Sequence, residues 1–586
     1  MRISVASVGP FLLPVVVAAG AIWLGNGGQA TGPVVIQARN IVVPHTLRIA
    51  VLANPPNLDP VEATDTTSNA LIRRICSTLV GLDDNLALAP DLCESLPEIS
   101  PDGSTYTFHL RKDVKFQNGR TMTAEDVKYS LQRLAEPWSK RFWIIEPVKG
   151  AEVARQTMIE RKMDRGQPQT PIEGIEVVDP STVRITLEAP QPLFPLFIAM
   201  SNASIVPREE VERLGQKFGR EVVGTGAFRL GEWKDNAYVV LERFDGYFGA
   251  PPHLEKIVYS IMPEEDTGYQ GYLNGEQDIV QCPTGKVARL RSSNLRDELV
   301  INPMLDIRYH GVNMERVLKG DDGALVPFGG NPEKGDPPVL LTPEDKERAR
   351  KIRQAMNWAM DRQFLCEKIL EGRAVPAKGV IPPKMDAYDP SLEGYGYDPD
   401  RARELLAEAG YPGGEGLPVI PLHFNQQGPN AQIAQALQGM LIEVGIRTEL
   451  QMLDWGAYQN ELDQGHATLF RLAWVADYPD PENFLYVLFH SSMKGSAGNN
   501  ARYQDADNDR RLEEARGCID DAKRKALWRE AEAAIVEDAP WLFLYHSATA
   551  LLVKPHVKGL VLTGMDAGSE MGQADLGKVR IEEGKR

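Results

Sequence analysis

The sequence predicts an α/β fold, and three observations carry that prediction. Single strand-like runs alternate with helical periods from Leu47 onward, instead of gathering as they do in an all-β sandwich. The helical segments carry their own start and stop signals. A chain of 586 residues, 43% of them hydrophobic, can bury large cores, with a length prior of about four domains.

The elements follow in order. Leu47 to Leu52 is apolar apart from Arg48 and reads as a buried strand. Tyr106 to Arg111 alternates as a half-buried strand. Thr123 caps a helix, with Asp126 three residues on in a capping-box arrangement; Val127, Leu131 and Leu134 then recur at helical spacing. Val183 to Leu187 alternates again, and Val239, Val240 and Leu241 form another strand. Thr342-Pro343-Glu344 opens a long helix with proline at its first position. Ile352, Met356, Ala359 and Met360 line its apolar face, and Gly372 follows its end. Asp398-Pro399 opens a second such helix, stopped by Gly410; a third follows Asn430 and stops at Gly445. Pro327 to Pro338 is rich in glycine and proline and reads as a surface loop. There is no internal repeat.

Charge and motifs exclude several classes. The net charge is −17, with acidic residues spread throughout, which disfavours a nucleic-acid partner. Gly224-Thr225-Gly226 is too short for a dinucleotide fingerprint. Cys76, Cys93, Cys282, Cys366 and Cys518 make no CxxC pair, and the odd count leaves at least one thiol free. The nine histidines show no ligand spacing, so neither a metal nor a cofactor is expected. No charged residue lies between Arg2 and Arg39, and residues 1–40 read as a secretory signal peptide or an uncleaved membrane anchor. Gly28-Gln29-Ala30 offers a cleavage site, while the apolar length suits a membrane span. Either way the rest of the chain is exported.

The most informative segment runs from Phe470 to Phe484. Its first half is aromatic, β-branched and apolar, and reads as a strand ending at Pro479. Arg471, Ala473, Val475 and Asp477 then share one face, with a cation and a carboxylate about 20 Å apart. Small residues between opposite charges leave room for an extended zwitterion such as a peptide. The same pattern also reads as a sheet-edge strand with solvated charges at its ends.

Several segments resemble the extracellular solute-binding proteins of bacterial ABC importers, in the peptide, dipeptide and nickel group, and most of all the oligopeptide-binding members. They are Ser95-Leu96-Pro97 through Asp102-Gly103 and Tyr106 to Arg111, continuing to Phe116-Gln117-Asn118-Gly119 and Thr123 to Val127; Gly224 to Phe228 with Trp233; Arg353 to Arg362; Leu405 to Gly413; and the Phe470 segment itself.

The resemblance implies a two-lobed periplasmic-binding-protein fold with a hinge, of the large three-domain variety. It assigns 45–76, 208–305 and 548–586 to lobe I, 77–207 to an extra domain and 306–547 to lobe II. It implies a periplasmic or extracytoplasmic monomer that captures short peptides by hinge closure and delivers them to an ABC permease in the inner membrane, with no catalytic residues. Asp477 falls on the aspartate that pairs with the peptide ammonium, and Arg471 on an arginine that takes its carboxylate. Trp474 and Trp455 fall on pocket tryptophans, and the backbone of Ala473 to Val475 would hold the ligand as an added strand. Leu370, Asn430 and Asp463 stand where the pattern has basic residues, and Asp306 and Val475 stand where it has a disulfide. Residues 315–341 look like an insertion, and a second carboxylate from Glu62 to Asp65 would face the site from lobe I. The alternative is the same fold binding another solute, such as a metal chelate, glutathione, an opine or an oligosaccharide. A hydrolase would need a nucleophile elbow or metal motif, and neither is present.

Overall fold

The computed structural model describes residues 36–320, 325–329, 340–425, 429–495 and 498–582. Residues 1–35, which hold nearly all of the expected leader or anchor, and most of the Pro327 to Pro338 loop lie outside the described residues. Among the described residues no helix is long and apolar enough to cross a membrane. The expected insertion contributes a short hairpin, Val317–Lys319 against Leu325–Pro327.

Trp541–Val553 organises the rest. Its aromatic and branched residues suit an extended, buried backbone, and nearly all of them are buried. From Trp541 to Ser547 it is flanked by Asp306–Val312 and Ala374–Pro376. From Ala548 to Val553 it is flanked by Leu299–Pro303 and Ile279–Gln281. The partners change on both edges between Ser547 and Ala548. Leu299–Pro303 leads into Asp306–Val312, so two antiparallel strands cross side by side between two bodies.

The first body places Thr46–Val51 parallel to Lys256–Ile261, with Tyr238–Arg243 and Phe228–Lys234 beyond it. Its core joins Leu47, Ile257, Leu551 and Val579. The second body is a four-stranded sheet, Glu98–Ile99, Thr105–His109, Thr182–Thr186 and Ile175–Asp179, covered by Ala124–Arg133. Phe108, Val127, Leu131 and Ile185 fill it. A buried ion pair, Arg133 to Asp59 at 2.7 Å, ties the second body to the first. Asn202 adds hydrogen bonds to the carbonyls of Pro60 and Ala63. In the third body Ile420–Asn425 lies between Thr448–Leu453 and Leu469–Val475, and the latter runs antiparallel to Asp306–Val312.

The predicted capping box forms at Thr123, and the helix opened by Thr342-Pro343 carries one as well, with Asp345. The long helix ends earlier than expected, at Trp358. Asp361 caps a second helical start by accepting the Phe364 N–H, and buried Arg362 binds the carbonyls of Asn357 and Phe543 across the break. Gly372 therefore follows this second piece. All five cysteines are free.

Candidate functional site

The strand Leu469–Val475 borders the cleft between the third body and the other two. It ends at Val475, not Pro479 as the sequence suggested. The Ala476 N–H still donates to Leu305 O at 2.9 Å, but the Asp477 N–H turns to Asn483 Oδ1 at 3.0 Å. Pro479 and Pro481 then supply no donors, and Glu482 opens a helix. Asp477 thus sits just beyond the strand.

On one edge all seven strand residues pair with Asp306–Val312, while on the other only Leu469 and Phe470 pair, with Leu422 and His423. The edge from Arg471 to Val475 is left without a strand partner among the described residues. The Tyr458 hydroxyl donates to the Arg471 carbonyl on this side. Backbone groups repeat with period two, so those of Ala473 point the same way. Each residue from Arg471 to Val475 is half-buried.

At the Asp477 end lies a cavity of about 120 Å³, lined by Asp477, Arg73, Arg141, Glu570 and Asn69 among others. Burial raises the Asp477 pKa, against the pull of Arg141 and an Asn483 hydrogen bond. The same Asn483 oxygen accepts the Trp474 indole N–H at 3.0 Å, so one buried amide orients both residues. Glu570 comes from the first body; burial raises its pKa too, while the Thr67 hydroxyl donates to it at 3.0 Å. Glu570 is the first-body carboxylate that lines this cavity. Glu62 is instead paired with Arg165 at 2.5 Å, and Asp65 caps a helix through the Ser68 N–H.

At the Arg471 end lies a larger cavity of about 710 Å³, lined by Arg471, Arg308, Arg373, Tyr545, Leu370 and Asn430 among others. Arg308 and Arg471 lie on one sheet face, because Arg308 is opposite Ala473 and His310 is opposite Arg471. Burial and the Arg308 charge lower the Arg471 pKa. Arg471 makes no side-chain hydrogen bond or ion pair among the described residues. Arg308 is held at Nε by Asp306 at 2.8 Å, and Asp306 is held in turn by the Ser547 N–H and hydroxyl. Asp306 stands directly opposite Val475. Where the resemblance implies a disulfide, this chain has an ion pair beside the crossing strands. Burial, helped by Arg471, pushes His310 down to about 3, so it stays neutral beneath the arginines.

Leu370 and Asn430 lack charge as the sequence indicates, but Arg308 and Arg373 supply cations that sequence reasoning missed. Arg308 was recoverable from the Asp306-x-Arg308-x-His310 alternation. Arg73, Arg141 and Glu570 come from segments far apart in the chain and leave no local signal. Trp455 opens the helix Trp455–Asp463, and its side chain lies outside the described residues.

The bodies touch at both ends of the cleft. The Val287 N–H donates to the Glu371 carboxylate at 3.1 Å, and Arg291 reaches the carbonyls of Glu371 and Gly372 at 3.3 Å. At the other end Tyr478 packs on Phe197 at 5.2 Å between ring centres.

Two α/β bodies joined by crossing strands around a charged cleft define a hinged solute-binding protein. The chain belongs to the bacterial extracellular solute-binding proteins: the description "Bacterial extracellular solute-binding proteins, family 5 Middle" matches residues 87–496. It is 29% identical over 565 residues to the glutathione-binding protein GsiB of Salmonella typhimurium strain LT2, covering 94% of this chain and 98% of that one. It is 27% identical to the dipeptide-binding protein of Escherichia coli K12, covering 87% and 90%. The solved structure of the Escherichia coli murein tripeptide binding protein MppA shares the fold, with a TM-score of 0.70 and 24% identity over 92% of this chain and 98% of that one.

Proposed function

We propose that this protein is the extracytoplasmic binding component of an ABC importer, which captures short peptides in the cleft and passes them to a membrane permease. One observation carries the reading. The unpaired edge of Arg471 to Val475 is flanked by Asp477 at one end and by Arg471, Arg308 and Arg373 at the other. A peptide bound as an added strand would use the backbone of Ala473 to Val475 for its main chain. Its ammonium would meet Asp477 and its carboxylate the arginines, with Trp474 bounding a side-chain pocket. Backbone bonds and terminal charges supply affinity without reading side-chain sequence, which suits a carrier of varied peptides. The names of the relatives, glutathione-binding and dipeptide-binding, support a small peptide-like solute. No bond is broken in this role, so no side chain is assigned to catalysis. The protein works as a monomer in the periplasm, and closure turns on the two crossing strands near Ser547.

Calorimetric titration with free-ended peptides of two to eight residues tests the proposal. Saturable binding is expected across part of that range. No binding at any length refutes it.

A further inference from the structure

The cavity at the Asp477 end holds more than an ammonium needs. Two carboxylates face it, Asp477 from the third body and Glu570 from the first. Two guanidinium groups face it as well. Arg73 stands in the last turn of the helix Thr66–Ile75, and Arg141 belongs to the second body. Arg141 donates through Nε to the Ala63 carbonyl at 3.1 Å and through Nη2 to the Thr64 carbonyl at 3.2 Å. Both bonds go to carbonyls of the first body, so the guanidinium is anchored, and its Nη1 has no partner among the described residues. Arg73 makes no side-chain hydrogen bond or ion pair among the described residues. Its charge is felt by Asp91 and Asp566 without contact, and burial beside Arg74 pushes it down to about 10.

A bare peptide amino terminus entering this space gains Asp477 but meets two partly desolvated cations. Like charges in such a site cost affinity. The arrangement is complementary to a different end group, in which the ammonium is flanked by a carboxylate. The ammonium would be shared by Asp477 and Glu570, and the carboxylate would accept from Arg73 and from the open Nη1 of Arg141. A cavity of about 120 Å³ suits a compact end group of this kind rather than a bulky side chain.

Resting on the peptide reading above, we propose that Arg73 and Arg141 make this protein selective for peptides whose amino-terminal residue is acidic, so that a carboxylate lies beside the ammonium. That chemistry has two sources: an ordinary first glutamate, with its carboxylate on the side chain, or a γ-linked glutamyl residue, with its carboxylate on the α-carbon. Arg141 and Arg73 act as specificity-determining residues in either case.

Calorimetry on the full chain tests this with three tripeptides, Ala-Ala-Ala, Glu-Ala-Ala and γ-Glu-Ala-Ala. At least one glutamyl peptide is expected to bind about tenfold or more tightly than the alanyl peptide, the scale of a charge-assisted hydrogen bond. The tighter of the two identifies the linkage. Arg73→Gln and Arg141→Gln should each cut that preference to roughly threefold or less. Arg141→Lys, which keeps the charge, should retain most of it. In the wild-type protein the glutamyl advantage should shrink as ionic strength rises, which gives a readout independent of any variant's folding. Equal binding of all three peptides, or a preference that survives both glutamine substitutions, overturns the proposal and leaves the peptide reading standing. Failure of all three to bind overturns the peptide reading of the cleft along with it.

Discussion

Asp477→Asn removes one charge at the cleft while preserving size and the backbone bond to Asn483. In the peptide reading, the wild-type carboxylate receives the ligand ammonium as the cleft shuts around it. An ammonium left buried without its partner costs roughly 2–5 kcal/mol. Asp477 is half-buried and already faces Arg141, so the low end applies: about 2 kcal/mol, or about 30-fold in Kd. The free protein should not suffer. Burial raises the Asp477 pKa, so the folded state favours its protonated form. Any stability from this group is present at low pH and is lost as pH rises through the raised pKa, so the neutral amide costs nothing near neutrality. The assay is calorimetry with a free tripeptide and its N-acetylated form, on both proteins. The wild type should lose about 30-fold on acetylation and the variant little. Wild-type affinity should also fall on acidification sooner than an ordinary carboxylate would dictate. If the acetylated peptide binds the wild type as well as the free one, the ion pair does not exist and the reasoning fails.

Three further outcomes are expected. Arg471→Ala should weaken binding of the best-fitting peptide by about tenfold or more and shrink the penalty for C-terminal amidation, with Arg308 and Arg373 retaining part of it; an unchanged amidation penalty would show that the carboxylate lies elsewhere. Saturating tripeptide should reduce the radius of gyration seen by small-angle scattering, since the bodies meet through Arg291 and Tyr478 when the cleft is shut; an unchanged profile under proven saturation argues for a rigid cleft. Glu532 accepts the N–H groups of Val380 and Ile381 at 2.7 Å, and burial pushes its pKa up to about 7. The folded state therefore holds that proton more tightly than the unfolded chain, and stability drains away as pH rises through about 7. Glu532→Gln keeps the acceptor and removes the charge, so it should melt roughly 2–4 °C above wild type near pH 8 and level with it near pH 5. A difference independent of pH would assign the effect to packing.

Where the chemistry is local, the sequence carries its signal. Thr123 with Asp126 announces one helix through side-chain capping and Pro343 marks the first turn of another, and those helices begin there. The α/β class follows from the alternation of such elements. Two boundaries differ from the sequence expectation because groups outside the segment set them. Asn483 draws the Asp477 N–H out of the sheet, and Arg362 stabilises a helix break by binding the Asn357 carbonyl before it and the Phe543 carbonyl of a remote strand. The cleft was half visible. A strand with charges at its ends shows in one stretch of sequence, but its missing partner beyond Phe470 does not. Nor does the meeting of Arg73, Arg141 and Glu570, which depends on two bodies folding against each other. No periodicity encodes contacts across hundreds of residues.

The first body's core has a consequence for how the molecule is made. Leu47 packs in the same cluster as Leu551 and Val579, so this core draws on the beginning, middle and end of the chain. Folding that depends on such remote contacts is slow, because the loops must close before they are rewarded. The second body is built from nearly consecutive residues and can form early. Until the final segment arrives, this core lacks Leu551, Val557, Met571, Leu576 and Val579, and a chain stopped short of Leu551 leaves part of its apolar surface bare. Synthesis and folding thus finish together, and a protein shortened at its carboxyl end leaves the core at its amino end unsealed.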